Sequence, residues 1–317
     1  MGLPVTVYRH SDPGAPQLTE FRPSEILNIF KKCLVEGYGA KAGAGWSVAF
    51  EDAAAFKLAL RNSPEDGSGG YLRIWSGSNN VDATFYMNCG KSMTDIDTLL
   101  NPIGYRSMRL ATTFMQGQWQ LIATSRSFWF VLESTYPYSK SSISALTYNI
   151  ANTSGLQQYQ QIAFIGDLDT TDPNDSSAFT LVSSSNSTTD YANIGYLYCN
   201  YSNCYCTMWD VNGDNSAKMA YSLLKPFSSY NTLRIEEAES LGIAHTLMPI
   251  SVFRDTDVPS ANFPNSRGVV PGIFHSSFYG YGTRERPFDN VMGGKLYTLL
   301  FNYYTLNCWI NLEEWYV

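Results

Sequence analysis

Three histidines, His10, His245 and His275, are the only imidazoles in the 317-residue chain, and imidazole is the side chain that titrates near neutral pH without help from its surroundings. None of them lies in an H-E-x-x-H pair or beside a zinc ligand set, and no G-x-S-x-G nucleophile elbow is present. A cysteine–histidine nucleophile would have to be assembled in space, and spacing along the chain points to none. Two carboxylates of the kind glycoside cleavage uses could be drawn from Asp95, Asp97, Glu313 and Glu314. A chain with 28 acidic residues offers such pairs by chance. Asp167, Asp169, Asp172 and Asp175 gather enough oxygens for a hard cation, and Asp210-Val211-Asn212-Gly213-Asp214 has a similar look. A calcium loop, however, needs glycine at its sixth position and glutamate at its twelfth. The first cluster has Asp172 and Ala178 there, and the second has its glycine at the fourth. Both read as solvated acidic turns. Gly90-Lys91-Ser92 is the tail of a phosphate-binding loop, but Phe85 stands where the first glycine belongs. The glycines at 37, 39, 43 and 45 follow a helix, whereas a dinucleotide fingerprint follows a strand and opens a helix, so this run reads as a flexible connector. The expectation is a non-enzymatic protein without cofactor or metal.

The six cysteines, at 33, 89, 199, 204, 206 and 308, are too sparse for a disulfide scaffold and read as reduced, structural residues. Cys199, Cys204 and Cys206 lie close together but lack a C-x2-C pair and a fourth ligand for zinc. Net charge −7 and a pI near 5.0 argue against affinity for phosphate backbones, which is built from clustered lysine and arginine. No specific nucleic-acid binding is expected. The first residues carry no charged-then-apolar leader, and runs such as Phe128–Leu132 are far too short to cross a bilayer, so neither export by a leader nor a membrane partner is expected. Charged residues make up 15% of the chain, against roughly 25% in an average soluble protein, and aromatic residues make up another 15%. A surface poor in lysine and glutamate and rich in tyrosine and tryptophan resembles a buried protein interface.

These side chains must be positioned by a scaffold, and its pattern is mostly short strands. Val5 and Val7 alternate with polar residues until Asp12-Pro13-Gly14 turns the chain. Pro23 opens a helix whose apolar face carries Ile26, Leu27, Phe30, Cys33 and Leu34, with Lys31, Lys32 and Glu36 opposite and Gly37 as its stop. Alternating runs at 46–50, 56–60, 71–75 and 81–89 predict an antiparallel meander, with Met93–Leu100 as a loop or single helical turn. Trp119–Ala123 and Phe128–Leu132 predict a hairpin closed around Ser125-Arg126. From 136 to 158 serine, asparagine and tyrosine dominate without periodicity, which marks a connection or boundary between a region 1–140 and a β-rich region 141–317, or a loop within one continuous domain. Leu233–Leu241 reads as a short acidic helix, and Leu296–Phe301 and Cys308–Leu312 as two closing strands. The fold class expected is β-rich α+β: one N-terminal amphipathic helix packed on antiparallel sheet, followed by short strands and long loops. The closing Trp315-Tyr316-Val317 should pack rather than dangle, since leaving such rings in water forgoes roughly 1.5–3 kcal/mol each.

In order along the chain, YRHSDPGAPQL, CLVEGYGAKAGAGW, GGYLRIW, SMTDID, FWFVL, FIGDLDTTDPND, RGVVPGIF and a closing strand with EEW resemble a family of tailed-bacteriophage virion structural proteins. The resemblance spans most of the chain and excludes the stretch 183–216. It implies a non-enzymatic component of the particle at the tail, neck, baseplate or head surface, made in the host cytoplasm and located in the virion. It supplies no catalytic residues or ligands. The partners expected are copies of the chain itself and other virion proteins. The alternatives are a capsid-decorating protein, a tail-tip protein that binds a host surface glycan and, last, a small tail depolymerase. The contact surfaces expected are the loop with Tyr279, Tyr281, Arg284, Arg286 and Phe288, and the terminus with Trp315 and Tyr316, because planar amphipathic side chains dominate interface energetics.

Overall fold

The computed structural model describes residues 2–110, 112, 115–137, 156–170, 178–182, 203–207, 218–222, 247–254, 266–276, 287–300 and 308–317. Helix α1, Pro23–Lys31, continues into a wider π turn, Lys32–Glu36, which Gly37 closes by donating its N–H to the Lys32 carbonyl at 2.7 Å. Its N-terminus is built by Glu25, whose carboxylate accepts from the backbone N–H groups of Thr19, Glu20 and Arg22. The buried positions are Ile26, Ile29, Phe30, Cys33 and Leu34, at helical spacing. Leu27, expected on that face, sits at its half-buried flank, and Ile29 takes the central place instead.

The strands are β1 (Leu3–Pro4), β2 (Thr6–Arg9), β3 (Ser47–Asp52), β4 (Lys57–Arg61), β5 (Tyr71–Ser76), β6 (Thr84–Met93) and β7 (Leu99–Arg109). They continue with β8 (Met115–Ala123), β9 (Ser127–Pro137), β10 (Leu156–Asp167), β11 (Phe179–Val182), β12 (Asn203–Thr207) and β13 (Lys218–Ser222). The last are β14 (Leu247–Arg254), β15 (Ser266–Ser276), β16 (Asp289–Met292), β17 (Lys295–Leu300), β18 (Cys308–Asn311) and β19 (Glu314–Trp315). β3 to β7 form a five-stranded antiparallel meander in sequence order. A twelve-stranded antiparallel sheet runs β16-β17-β18-β15-β14-β13-β12-β11-β10-β9-β8-β2, and β1 pairs with β19. The segment 93–100, expected as a loop, instead carries the end of β6, a tight turn and the start of β7. Residues 156–158, the end of the stretch read as a connection from its composition, belong to the first half of β10, paired with β9 from Leu156↔Pro137 onward. β9 and β10, which lie on either side of residue 140 in sequence, pair with each other. The proposed helix Leu233–Leu241 lies outside the described residues.

Open sheets beyond about ten strands curl, and this one folds over itself. The alternation along its central strands shows the fold-over. On β9, Phe128, Phe130 and Leu132 face α1 and the meander, while Trp129 and Val131 face the opposite way. On β10, Ala163 and Ile165 join the first core, and Ile162 and Phe164 the second. The second core is completed by Ile250, Val252, Val270, Ile273, Leu300, Ile310 and Trp315, all from the C-terminal half of the same molecule. Strands β2, β8, β9 and β10 are thus a middle layer buried on both faces. That explains why FWFVL is a continuous apolar run rather than an alternating one. The two ends of the rolled sheet meet where Arg9 on β2 places Nη2 2.8 Å from both oxygens of Asp289 on β16. In the first core Phe30 packs its ring against Phe128 and Phe130, with centroids 5.5 and 4.9 Å apart. Buried indoles find backbone acceptors: Trp46 at Thr124, Trp119 at Pro16, Trp129 at Pro271 and Trp315 at Asn311.

Candidate functional site

The terminal rings come first, because sequence made them contact candidates. Trp315 is 1% exposed, bonded through Nε1 to the Asn311 carbonyl at 2.8 Å, and laid against Gly272, whose φ of +72° and missing Cβ make room for the indole. No ring face is left for a neighbouring subunit. Tyr316 donates its hydroxyl inward to the Asp167 carbonyl at 2.6 Å and shares a hydrogen bond with Ser127 Oγ at 2.7 Å, in which the serine hydroxyl donates, and the Arg126 guanidinium lies 4.0 Å over its ring. Within the chain Trp315 and Tyr316 act as a closing element of the fold, and Val317 beyond them is exposed. Phe288 packs near Trp309 at the outer cluster formed by Met292, Tyr297 and Leu299. Tyr279, Tyr281, Arg284 and Arg286 lie outside the described residues.

Tyr316 leads to the most unusual carboxylate described. Asp167, at the end of β10, is 0% exposed. Its Oδ2 accepts from Ser68 N at 2.8 Å, Asn62 Nδ2 at 3.1 Å and Arg126 Nε at 3.5 Å, and its Oδ1 accepts from Ser68 Oγ at 2.5 Å. Burial pushes its pKa up, against the pull of Ser68 and Arg126. Gly67 is needed for this approach, since a Cβ there would strike the carboxylate. A serine hydroxyl on a carboxylate is half of a nucleophile–base arrangement. Here both oxygens are saturated by internal donors and closed to solvent, so the group holds three segments together: the 62–70 loop, the β8–β9 turn and β10.

A second polar cluster guards the outer edge of β2. Asp12 Oδ2 accepts from Arg9 N at 2.8 Å, Tyr38 OH at 2.8 Å and Lys41 Nζ at 2.6 Å, and Lys41 Nζ also donates to the Val7 carbonyl at 2.6 Å. Side chains thereby satisfy backbone groups that a neighbouring strand would otherwise pair, which is how natural sheets blunt an edge. Partial burial works against the charge, yet the Lys41, Arg9 and Tyr38 donors hold the Asp12 carboxyl below the usual range. The glycine-rich run 37–45, expected as a flexible connector, is fixed by this cluster. It is also held by the bonds from Ala44 N to Cys33 O and Trp46 N to Leu34 O.

The third cluster is half-buried on the surface of the meander, with Asp97 exposed over it. Arg61, Tyr71, Arg73 and Trp75 alternate onto the outer face of the meander, beside Lys57 and Tyr86 on the adjacent strands. Arg73 lies 4.6 Å over the Trp75 ring, Trp75 stacks on Tyr86 at 5.5 Å, and Arg61 lies 5.3 Å over Tyr71. The β6–β7 turn bends over this face: Asp97, with its side chain 55% exposed, bridges Lys57 Nζ at 2.7 Å and Arg73 Nη2 at 2.5 Å. From the sequence, Asp97 is only one of four candidate acids for a carboxylate pair. The alternation Tyr71-Arg73-Trp75 on one strand face was the signal that could have led to the cluster.

The remaining candidates separate. Asp95 caps its own turn through the N–H groups of Asp97 and Thr98, Glu313 accepts from Leu296 N, and Glu314 pairs with Lys295. Neither acidic pair faces a shared substrate position. Gly90-Lys91-Ser92 lies inside β6, so it forms no phosphate loop. Cys33, Cys89 and Cys308 are buried thiols. Cys204 and Cys206 lie two apart on β12, while Cys199, His245, Asp172, Asp175 and 210–214 lie outside the described residues. Among the described residues, no group of three or more His, Cys, Asp or Glu side chains converges on a common point, and no helix is long and apolar enough to cross a membrane. No family model and no curated protein matches the chain.

Proposed function

We propose that the chain is a non-enzymatic structural subunit of a tailed-bacteriophage particle, assembling into a symmetric ring or array at the tail, baseplate or neck. It is a β-rich α+β subunit whose amphipathic N-terminal helix closes one of two cores. The ordered motifs that carry the family resemblance support this reading, and one observation supports it further: those motifs meet one another in the fold. The YRHSDPG segment meets GYGAKAG through Asp12, Tyr38 and Lys41. FIGDLD meets the chain end through Asp167 and Tyr316. RGVVPGIF meets FWFVL through Trp129 and the EEW strand through Gly272. Motif residues used for internal joints are what a building block requires, because its worth lies in shape and rigidity rather than in a reactive group. Partners are further copies of the chain and neighbouring virion proteins.

The test is copy number, by quantitative mass spectrometry of purified virions normalised to the major capsid protein. A small multiple of three or six per particle is expected. Hundreds of copies would move the subunit to the capsid surface as a decorating protein, and absence from virions would overturn the reading.

A further inference from the structure

The outer face of the five-stranded meander carries charge that the fold does not need for closure. Two cations from adjacent strands, Lys57 on β4 and Arg73 on β5, converge on the single carboxylate of Asp97, supplied by a bent hairpin tip. Asp97 does not saturate them. It engages the guanidinium through Nη2, with a long contact of 3.4 Å from Nη1 to its own carbonyl, while Arg73 Nε is buried without a partner. Arginine prefers a carboxylate that takes two N–H groups side by side. The two stacks, Arg61 on Tyr71 and Arg73 on Trp75, set the guanidinium groups on a rigid sheet.

We propose that this face is an inter-subunit contact that receives a carboxylate from a second copy of the chain, Asp97 standing in for that carboxylate in the isolated subunit. The inference rests on the reading of the chain as an assembly subunit. Charge identifies the occupant: the chain carries a net −7, so the rest of a second copy presents mainly acid to Lys57, Arg61 and Arg73. Charge also sets the geometry. Asp97 sets one negative charge against the three cations Lys57, Arg61 and Arg73, so two such faces brought together would oppose net positive to net positive charge, which disfavours a two-fold contact of the face with itself. The contact is therefore head-to-tail, the kind that closes into a ring or runs on as a filament. Trp75 meets Arg73 and Tyr86 through its ring faces within the chain, so recognition here works by charge and hydrogen bonds rather than by stacking on a sugar.

The experiment is sedimentation velocity on the purified full chain over a range of concentrations, at low and at physiological salt, for wild type, Asp97→Asn, Arg73→Glu and Lys57→Glu. Circular dichroism establishes that each variant is folded. Asp97→Asn is expected to tighten self-association about tenfold by removing the internal competitor. Arg73→Glu and Lys57→Glu are expected to weaken it by about a hundredfold, and salt to weaken the wild type. A purely structural Asp97 would give no tightening, and that result overturns the proposal, as does a monomer at every concentration or association indifferent to both charge reversals. Binding to an anionic polysaccharide that Arg73→Glu abolishes would replace the second copy by a glycan. These outcomes are separate from copy number in virions: a chain present in ring stoichiometry but indifferent to the charge reversals keeps its proposed function and loses this contact.

Discussion

The molecule twice sets an arginine between an aspartate and an aromatic ring. At the junction of its layers Arg126 sits between the carboxylate of Asp167 and the ring of Tyr316, and on the meander Arg73 sits between the carboxylate of Asp97 and the ring of Trp75. Composition does not distinguish them; burial does. Asp167 is 0% exposed with its oxygens filled by fixed donors, whereas the Asp97 side chain is 55% exposed on a turn. In a low-dielectric site each partner depends on the other, because a lone buried charge is costly. At the surface water replaces a lost partner at little cost. The first trio therefore holds the fold together, and the second is free to serve something outside it.

The largest effect should come from deleting Trp315–Val317, which removes the ring of the buried trio together with a tryptophan of the second core. A loss of at least about 3–5 kcal/mol is expected, read as a fall in the denaturation midpoint. Asp167→Ala strands Arg126 and leaves the donors of Ser68 and Asn62 without an acceptor, and about 3–5 kcal/mol of destabilisation is expected. Tyr316→Phe keeps the ring under Arg126 and deletes only the hydroxyl, for about 1–2 kcal/mol. If it cost as much as Asp167→Ala, the hydroxyl rather than the ion pair would be the main tie.

pH separates two carboxylates that have similar numbers of donors. Asp12 is held below its ordinary range, so the unfolded chain takes up its proton first; the stability it contributes is present above about pH 4 and falls away as pH drops further. Asp167 is pushed up, so the native chain takes up that proton first, and stability from this group declines as pH rises from about 4 through its native value. Urea titrations from pH 3 to 8 should show the acid limb shrink in Asp12→Asn, and Asp167→Asn should remove the decline that sets in as pH rises above about 4. A wild-type profile whose acid limb survives Asp12→Asn would assign it to another carboxylate, with Glu25 next in line because its backbone donors also hold it low despite partial burial.

What sequence could and could not reach follows the same division between local and distant. The helix from Pro23, its glycine stop, the hairpin around Ser125-Arg126 and the paired strands at the C-terminus are readable because turn chemistry and periodicity are local. The strand β7 and the first half of β10 were missed because Leu99–Arg109 and Leu156–Gln161 carry little alternation and owe their strand form to long-range pairing. That the terminal rings would be buried was legible from their size. That they would be buried within the same chain was not, since it depends on Gly272 and Ser127 far away in sequence. Asp167 looked like one member of an acidic turn, and only the fold brings Asn62, Ser68 and Arg126 to it.

The claim that burial divides the two trios is tested most directly by calorimetric melting temperatures of Asp167→Ala and Asp97→Ala, measured side by side against the wild type. The account predicts a large fall for the first and, for the second, a change within about 0.5 kcal/mol of wild-type stability. Comparable losses in both would mean that the exposed trio also holds the fold, and would contradict the account.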